Sequence, residues 1–393
     1  MQVTEPWAAM DEPRRRTIAV VVALAVGLPV LFMGPTLLLG YPLIRDDAAQ
    51  YVYPQFHAYA QALRSGHLYL WDTHQYCGLP ALATGQSMGL YPPHLLLFRV
   101  LPWHCAIHMG YWLHLALAFA AFMLVARRLG LSTAAAAPAA LLYAYSGYQA
   151  AHLVHYNFVA GVAHLPLMVW LLDRALARGR RRDWGLLGLE AALAFLVAHP
   201  QVFLINAFAC VLWLCLARTS RSSAGGPPAR DEGRAGEAAC PTGHTGRLWG
   251  LLAAGAVFLL LIMPQLLPTV ELAWLSREAL AHTSITTAEF AESYGYGQLD
   301  LIRLILPNLF GTVETSVVGG GPQFHETCAY VGVAGLLLAL AGLVLGKGRR
   351  GWWFCVAAVA LGAVLMWSGN PLYAVTAKLP FVSSFRAMGR WAL

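Results

Sequence analysis

Apolar runs of about twenty residues recur along this chain, and nothing else in the sequence constrains its fold as tightly. A helix of that length covers the hydrocarbon core of a bilayer. Lipid offers backbone amides no partner, so a spanning segment must satisfy them internally, as a helix does. The runs occupy 17–40, 105–126, 132–150, 156–172, 184–198, 202–217, 248–267, 327–346 and 352–368. They predict an all-α polytopic membrane protein with about nine transmembrane helices in one transmembrane domain. Only 11% of the 393 residues are charged, against roughly a quarter in soluble domains. The first run follows Arg14, Arg15 and Arg16 without a clear small-residue cleavage site, so it reads as a retained span rather than a signal peptide.

Charge placement orients the spans. With the N-terminus in the cytoplasm, the inner segments hold 18 of the 26 Lys and Arg residues and the longer outer segments hold 8. That is the positive-inside pattern. It also removes nucleic acid as a partner, because the net charge of +7 sits in short clusters that end apolar runs. Two long loops, 41–104 and 268–326, and a tail, 369–393, are then expected on the outer face. The inner loop 218–247 is rich in Ser, Gly, Pro, Ala and Arg and lacks the apolar content to build a core, so disorder is expected there. The tail stops where another span would begin, so a longer bundle is expected.

The outer segments hold the residues suited to chemistry. Asp46 and Asp47 follow the first span closely. One carboxylate of such a pair can accept a proton from an attacking hydroxyl. The other can orient that hydroxyl or help hold a divalent cation through oxygen ligands; a solvated interfacial pair is the plain alternative. Gln50, Tyr51 and Trp71 share this loop, where aromatics serve either as an interfacial belt or as platforms for a sugar ring. His152 and His155 have the spacing of a metal pair on one helix face, but no matched third ligand is evident, and a hydrogen-bonding role fits better. His199 and Gln201 at the next outer turn read the same way. Arg277, His325, Glu326, Arg386 and Arg390 lie on the outer side, where a guanidinium can hold a phosphate or pair with a nearby carboxylate. Glu190 interrupts an apolar run and reads as a helix-pairing residue. Cys77 and Cys328 both fall in outer loops, and a disulfide between them is one option.

Short motifs follow one another in a set order along nearly the whole chain. Asp47-x-x-Gln-Tyr-x-x-Pro, Leu-Tyr-Leu-Trp-Asp, Cys-Gly-Leu-Pro, Gly-Gln-Ser and Leu-Tyr-Pro-Pro occur in the first loop. Tyr145-Ser-Gly-Tyr, Ala198-His-Pro-Gln, Leu306-Pro-Asn-Leu-Phe-Gly, His325-Glu-Thr-Cys-Ala-Tyr and Ser384-Phe-Arg-Ala-Met-Gly-Arg-Trp follow. Their order resembles the YfhO-like family of bacterial membrane proteins, which is similar to the GT-C class of glycosyltransferases. The resemblance implies transfer of a sugar from a polyprenyl-phosphate donor to a cell-envelope glycan, lipid or protein on the outer face of the bacterial cytoplasmic membrane. It implies Asp47 as the catalytic base, with Asp46 beside it, and a lipid-linked donor needs no nucleotide-binding loop. A transporter or flippase of lipid-linked saccharides would need a polar path through the spans. A non-catalytic scaffold is the third option.

Overall fold

The computed structural model describes residues 12–40, 47–75, 77–216, 244–280, 295–297, 299–309, 324–347, 351–367 and 390–391. Among these the architecture is all-α, with no β-strand beyond two isolated bridges. In chain order the helices are α1 (Glu12–Leu39), α2 (Tyr53–Arg64), α3 (Pro92–Val100), α4 (Trp103–Arg128), α5 (Thr133–Ala144), α6 (Gly147–Ala151), α7 (Tyr156–Arg178), α8 (Arg181–Val197), α9 (Pro200–Leu216) and α10 (His244–Leu280). Val333–Leu345 forms α11 and Trp352–Met366 forms α12.

Four helical segments are long and apolar enough to cross a membrane: Arg15–Gly34, Trp103–Arg128, Tyr156–Arg178 and Thr245–Ser276. Pro200–Leu216, Val333–Leu345 and Trp352–Met366 are shorter apolar helices. Three expected spans differ: the helix in 327–346 starts only at Val333, after Gly332 with φ 82°, and two others differ for local reasons. The run 132–150 is divided: α5 ends at Ala144, and Ser146 starts α6 by accepting a hydrogen bond from the Gln149 N–H at 3.4 Å. This is an ordinary serine cap. The run 248–267 does not stop at Pro268; α10 carries Pro264 and Pro268 inside it and continues to Leu280.

Burial separates the centre of the bundle from its rim. In α7, 78% of the apolar window is buried inside the protein, against 17% in the first helix and 22% in α10. Around α7 pack α4, α8 and α9. The outer helices turn Leu31, Leu260 and Trp274 outward. An apolar exterior of this extent suits lipid rather than water. Small residues set the closest contacts, as membrane helices require. A Cβ on Gly188 of α8 would lie 2.4 Å from the Ala254 carbonyl oxygen of α10.

Charged groups mark one end of the bundle. Arg128 of α4 pairs with Asp173 of α7, and Arg174 pairs with Asp183 of α8 at 2.6 Å. The opposite end carries Asp47 and the packed segment 47–100. There a π-helical turn, Ala48–Val52, leads into α2. Phe56, Tyr59 and Phe98 are fully buried between α2 and α3, so this segment has its own core. Beyond α2, Asp72 bridges to Leu79. Its carboxylate accepts from the Tyr69 hydroxyl at 2.7 Å and the His74 N–H at 2.8 Å. Burial alone would raise the Asp72 carboxyl, but these hydrogen bonds outweigh it and hold it below its usual value. Cys77 is exposed and Cys328 is buried beside Gly147; both are free thiols.

Candidate functional site

Between the start of α7, the turn into α9 and the π-helical turn lies a cavity of about 320 Å³. Asp47, Tyr51, Gln55, Gln86, His155, Asn157, Gln201 and Arg390 supply its polar wall. Met88, Phe158 and Pro200 supply apolar wall. An apolar pocket with a few converging polar groups is the usual form of a small-molecule site.

The sequence brings these groups together by stopping helices at one level. His155 breaks the helical path with φ −117° and ψ 86°, and α7 begins at the next residue. Its Nε2 donates to Asp47 Oδ2 at 3.1 Å. Asp47 is more than half exposed and His155 is largely buried, so the carboxylate faces the opening while the imidazole backs it. The Nδ1 of His155 is buried and has no hydrogen-bond partner among the described residues. The Asp47 carboxylate can only accept, so the hydrogen of this bond is on Nε2.

Behind His155 stand His152 and His325. The His152 and His325 ring centres lie 5.5 Å and 4.7 Å from His155, and 5.7 Å from each other. His152 is fully buried, donates from Nδ1 to the Tyr148 carbonyl at 3.0 Å and stacks on the Tyr148 ring. Burial first, then the proximity of His155 and His325, pushes its imidazole well below the usual histidine value. No group of three or more His, Cys, Asp or Glu among the described residues is arranged to hold a metal ion. The trio is an interlocked ring cluster.

Arg390 closes the far wall. Its Nε and one terminal nitrogen bond both oxygens of Glu326, at 2.7 Å and 2.5 Å, and the other terminal nitrogen reaches Gln201 Oε1 at 3.0 Å. The guanidinium lies 4.5 Å from the Phe158 ring centre. A fork-to-fork pair of this kind satisfies both charges in one plane. Of the alternatives open for an outer arginine, the observed partner is the carboxylate.

Asp47, Tyr51, His155 and Arg390 therefore share one cavity, with His152, His325 and Glu326 directly behind it. Gln50 is exposed beside it and not part of its wall. Trp71 is exposed and lies over Gly78, at the Asp72–Leu79 bridge rather than in the cavity. Asp46, Arg386 and the side chain of Arg277 lie outside the described residues. Gln55 and Phe158 line the site without having stood out in the sequence, because a glutamine in an amphipathic helix and a phenylalanine in a span look ordinary. Comparisons with protein-family models, curated proteins and solved structures find no match.

Proposed function

We propose that this chain is a membrane glycosyltransferase of GT-C-like, nine-span architecture. It would move a sugar from a polyprenyl-phosphate donor to a cell-envelope acceptor on the outer face of the bacterial cytoplasmic membrane. The observation that carries the reading is Asp47, exposed at the mouth of a polar cavity and oriented by a buried histidine. In this reading the acceptor hydroxyl oxygen attacks the anomeric carbon while its proton passes to Asp47. The bond from that carbon to the phosphate oxygen breaks, and the lipid phosphate leaves with the electron pair. A single displacement inverts the anomeric centre. Asp47 acts as general base, and His155 holds its carboxylate in register. Arg390 keeps N–H donors beyond those given to Glu326 and Gln201, and they suit a phosphate oxygen. The exposed apolar helix faces give the donor's tail a lipid-facing flank. If a divalent cation takes part, Asp47 is the described carboxylate that would hold it.

One observation favours a second reading, a transporter of lipid-linked saccharides. Glu190 of α8 meets His164 of α7 at 2.7 Å inside the bundle, where a transporter would keep its path. Purified protein mixed with polyprenyl-phosphate sugars and envelope acceptors separates the two. Sugar transfer in detergent, without a second compartment, supports the enzyme. Saccharide movement across vesicles without transfer overturns it.

A further inference from the structure

Four elements bring six hydrogen-bonding side chains into one buried line. Glu190 of α8 meets His164 of α7, Oε1 to Nδ1, at 2.7 Å. His164 Nε2 meets the Tyr91 hydroxyl at 3.3 Å, and that hydroxyl meets His114 Nε2 of α4 at 3.1 Å. His114 Nδ1 lies 2.7 Å from the Gly110 carbonyl and 3.4 Å from the Tyr156 hydroxyl. Tyr156, whose hydroxyl is 2.8 Å from His94 Nε2, is also a wall of the cavity. All six residues are buried. α10, on the other side of α8, presents Ala254 and Val257 at Gly188.

Donor and acceptor accounting sets the protons. A carbonyl can only accept, so His114 Nδ1 carries hydrogen and its Nε2 a lone pair. Tyr91 must then donate to His114 and accept from His164, which puts hydrogen on His164 Nε2. The remaining contact, His164 Nδ1 to Glu190, holds one more proton: on the carboxyl with a neutral imidazole, or on an imidazolium facing a carboxylate. Both forms are net neutral. At the other end, His94 Nδ1 is buried without a hydrogen-bond partner among the described residues.

We propose that Glu190 and His164 form a proton-binding site inside the bundle, and that Tyr91, His114 and Tyr156 relay its proton to His94, directly behind the cavity wall that Tyr156 forms. In one direction Glu190 yields its proton to His164 Nδ1, and His164 passes the Nε2 hydrogen to the Tyr91 oxygen. Tyr91 gives its own hydrogen to His114 Nε2. His114 then releases its Nδ1 hydrogen to the Tyr156 oxygen as Tyr156 gives its hydrogen to His94 Nε2. The net change is one proton lost at Glu190 and one gained at His94, with no bond broken except those to hydrogen. A core of this size needs no such chain for stability, since apolar side chains of similar volume pack at equal or lower cost than buried charge pairs. Intramembrane acid and histidine chains are the usual form of proton relays. This inference goes beyond the transfer chemistry proposed above and does not depend on it.

Infrared spectroscopy of the full chain in lipid nanodiscs, moved from water to deuterium oxide, is the test. The band of the proton shared by Glu190 and His164, carboxyl or imidazolium, identified by its loss in Glu190→Gln, should shift as deuterium arrives. Tyr91→Phe should slow that shift at least tenfold, and Tyr156→Phe, at the outer joint, should slow it likewise if Tyr91→Phe does not fold. Asp47→Asn should leave the rate unchanged, which separates this relay from the sugar chemistry. Equal exchange rates in the wild type and a folded Tyr91→Phe or Tyr156→Phe variant overturn the proposal. So does a Glu190→Gln difference spectrum in which neither a carboxyl band nor a histidine ring band shifts in deuterium oxide.

Discussion

His155 donates its Nε2 hydrogen to Asp47 across a sequence separation of 108 residues. That bond joins the segment after the first helix to the start of the most buried one. It leaves the Asp47 carboxylate exposed but not free to rotate at random. Under the proposed function, Asp47→Asn keeps the volume and removes the base. Transfer should fall by about 10²- to 10⁴-fold, the usual contribution of a general base. Elution and helix content should stay at wild-type values. Full activity in a folded Asp47→Asn protein would sink the assignment.

His155 acts through Asp47, so its loss should be smaller and should not add. His155→Ala is expected to lower transfer by roughly tenfold, with the double variant no worse than Asp47→Asn alone. Groups that work as one unit show this non-additivity. A double variant whose loss equals the product of the single losses would give His155 an independent role.

Arg390 and Glu326 share a buried bidentate pair. Removing one partner strands the other charge, at a cost of about 3–5 kcal/mol. Arg390→Met or Glu326→Leu should each lower the thermal midpoint in detergent sharply. The double variant Arg390→Met/Glu326→Leu should recover much of the loss. A double variant as unstable as the worse single one would show that the pair contributes more than mutual neutralisation.

Gly110 is the point where α4 admits the Tyr156 hydroxyl. A Cβ there would lie 2.0 Å from that oxygen, so Gly110→Ala must displace the ring from His94 and His114. Overpacking of this kind costs about 1–3 kcal/mol. Gly110→Ala/Tyr156→Leu should be less destabilised than the sum of its parts, as read by thermal unfolding.

Acid should lower the protein's stability in part through His152. Burial keeps His152 neutral in the folded protein well below 6.5, whereas the unfolded chain takes up that proton as the pH falls through 6.5. The unfolded state then binds more protons, so stability drops as the pH is lowered from 7 toward 5. His152→Gln should flatten the dependence of the thermal midpoint in that window. An unchanged slope would exclude His152 as its source.

The repeated apolar runs made the helical class legible, and periodicity does not depend on which helix touches which. Asp47, His155 and Arg390 were also visible one by one, because polar groups flanking apolar runs stand out. Their assembly was not. Nothing local tells Arg390 that its partner is Glu326 rather than a phosphate, since the pairing depends on how distant segments fold back. The relay was hidden for a related reason. His114 and His164 sit in runs whose hydropathy masks a single histidine, and only their convergence on Tyr91 gives them meaning. The run 248–267 marked only part of α10, because a helix does not have to end where its apolar stretch does.

The 37 residues of α10 give a rod of about 55 Å at 1.5 Å per residue. A hydrocarbon layer of about 30 Å cannot house it upright, so a large part stands in the headgroups or the water beyond. Gln265, near its middle, ties it to the Leu82 carbonyl of the 47–100 segment. The part of α10 around Gln265 is thus fastened to the same segment that supplies Gln86 and Met88 to the cavity wall.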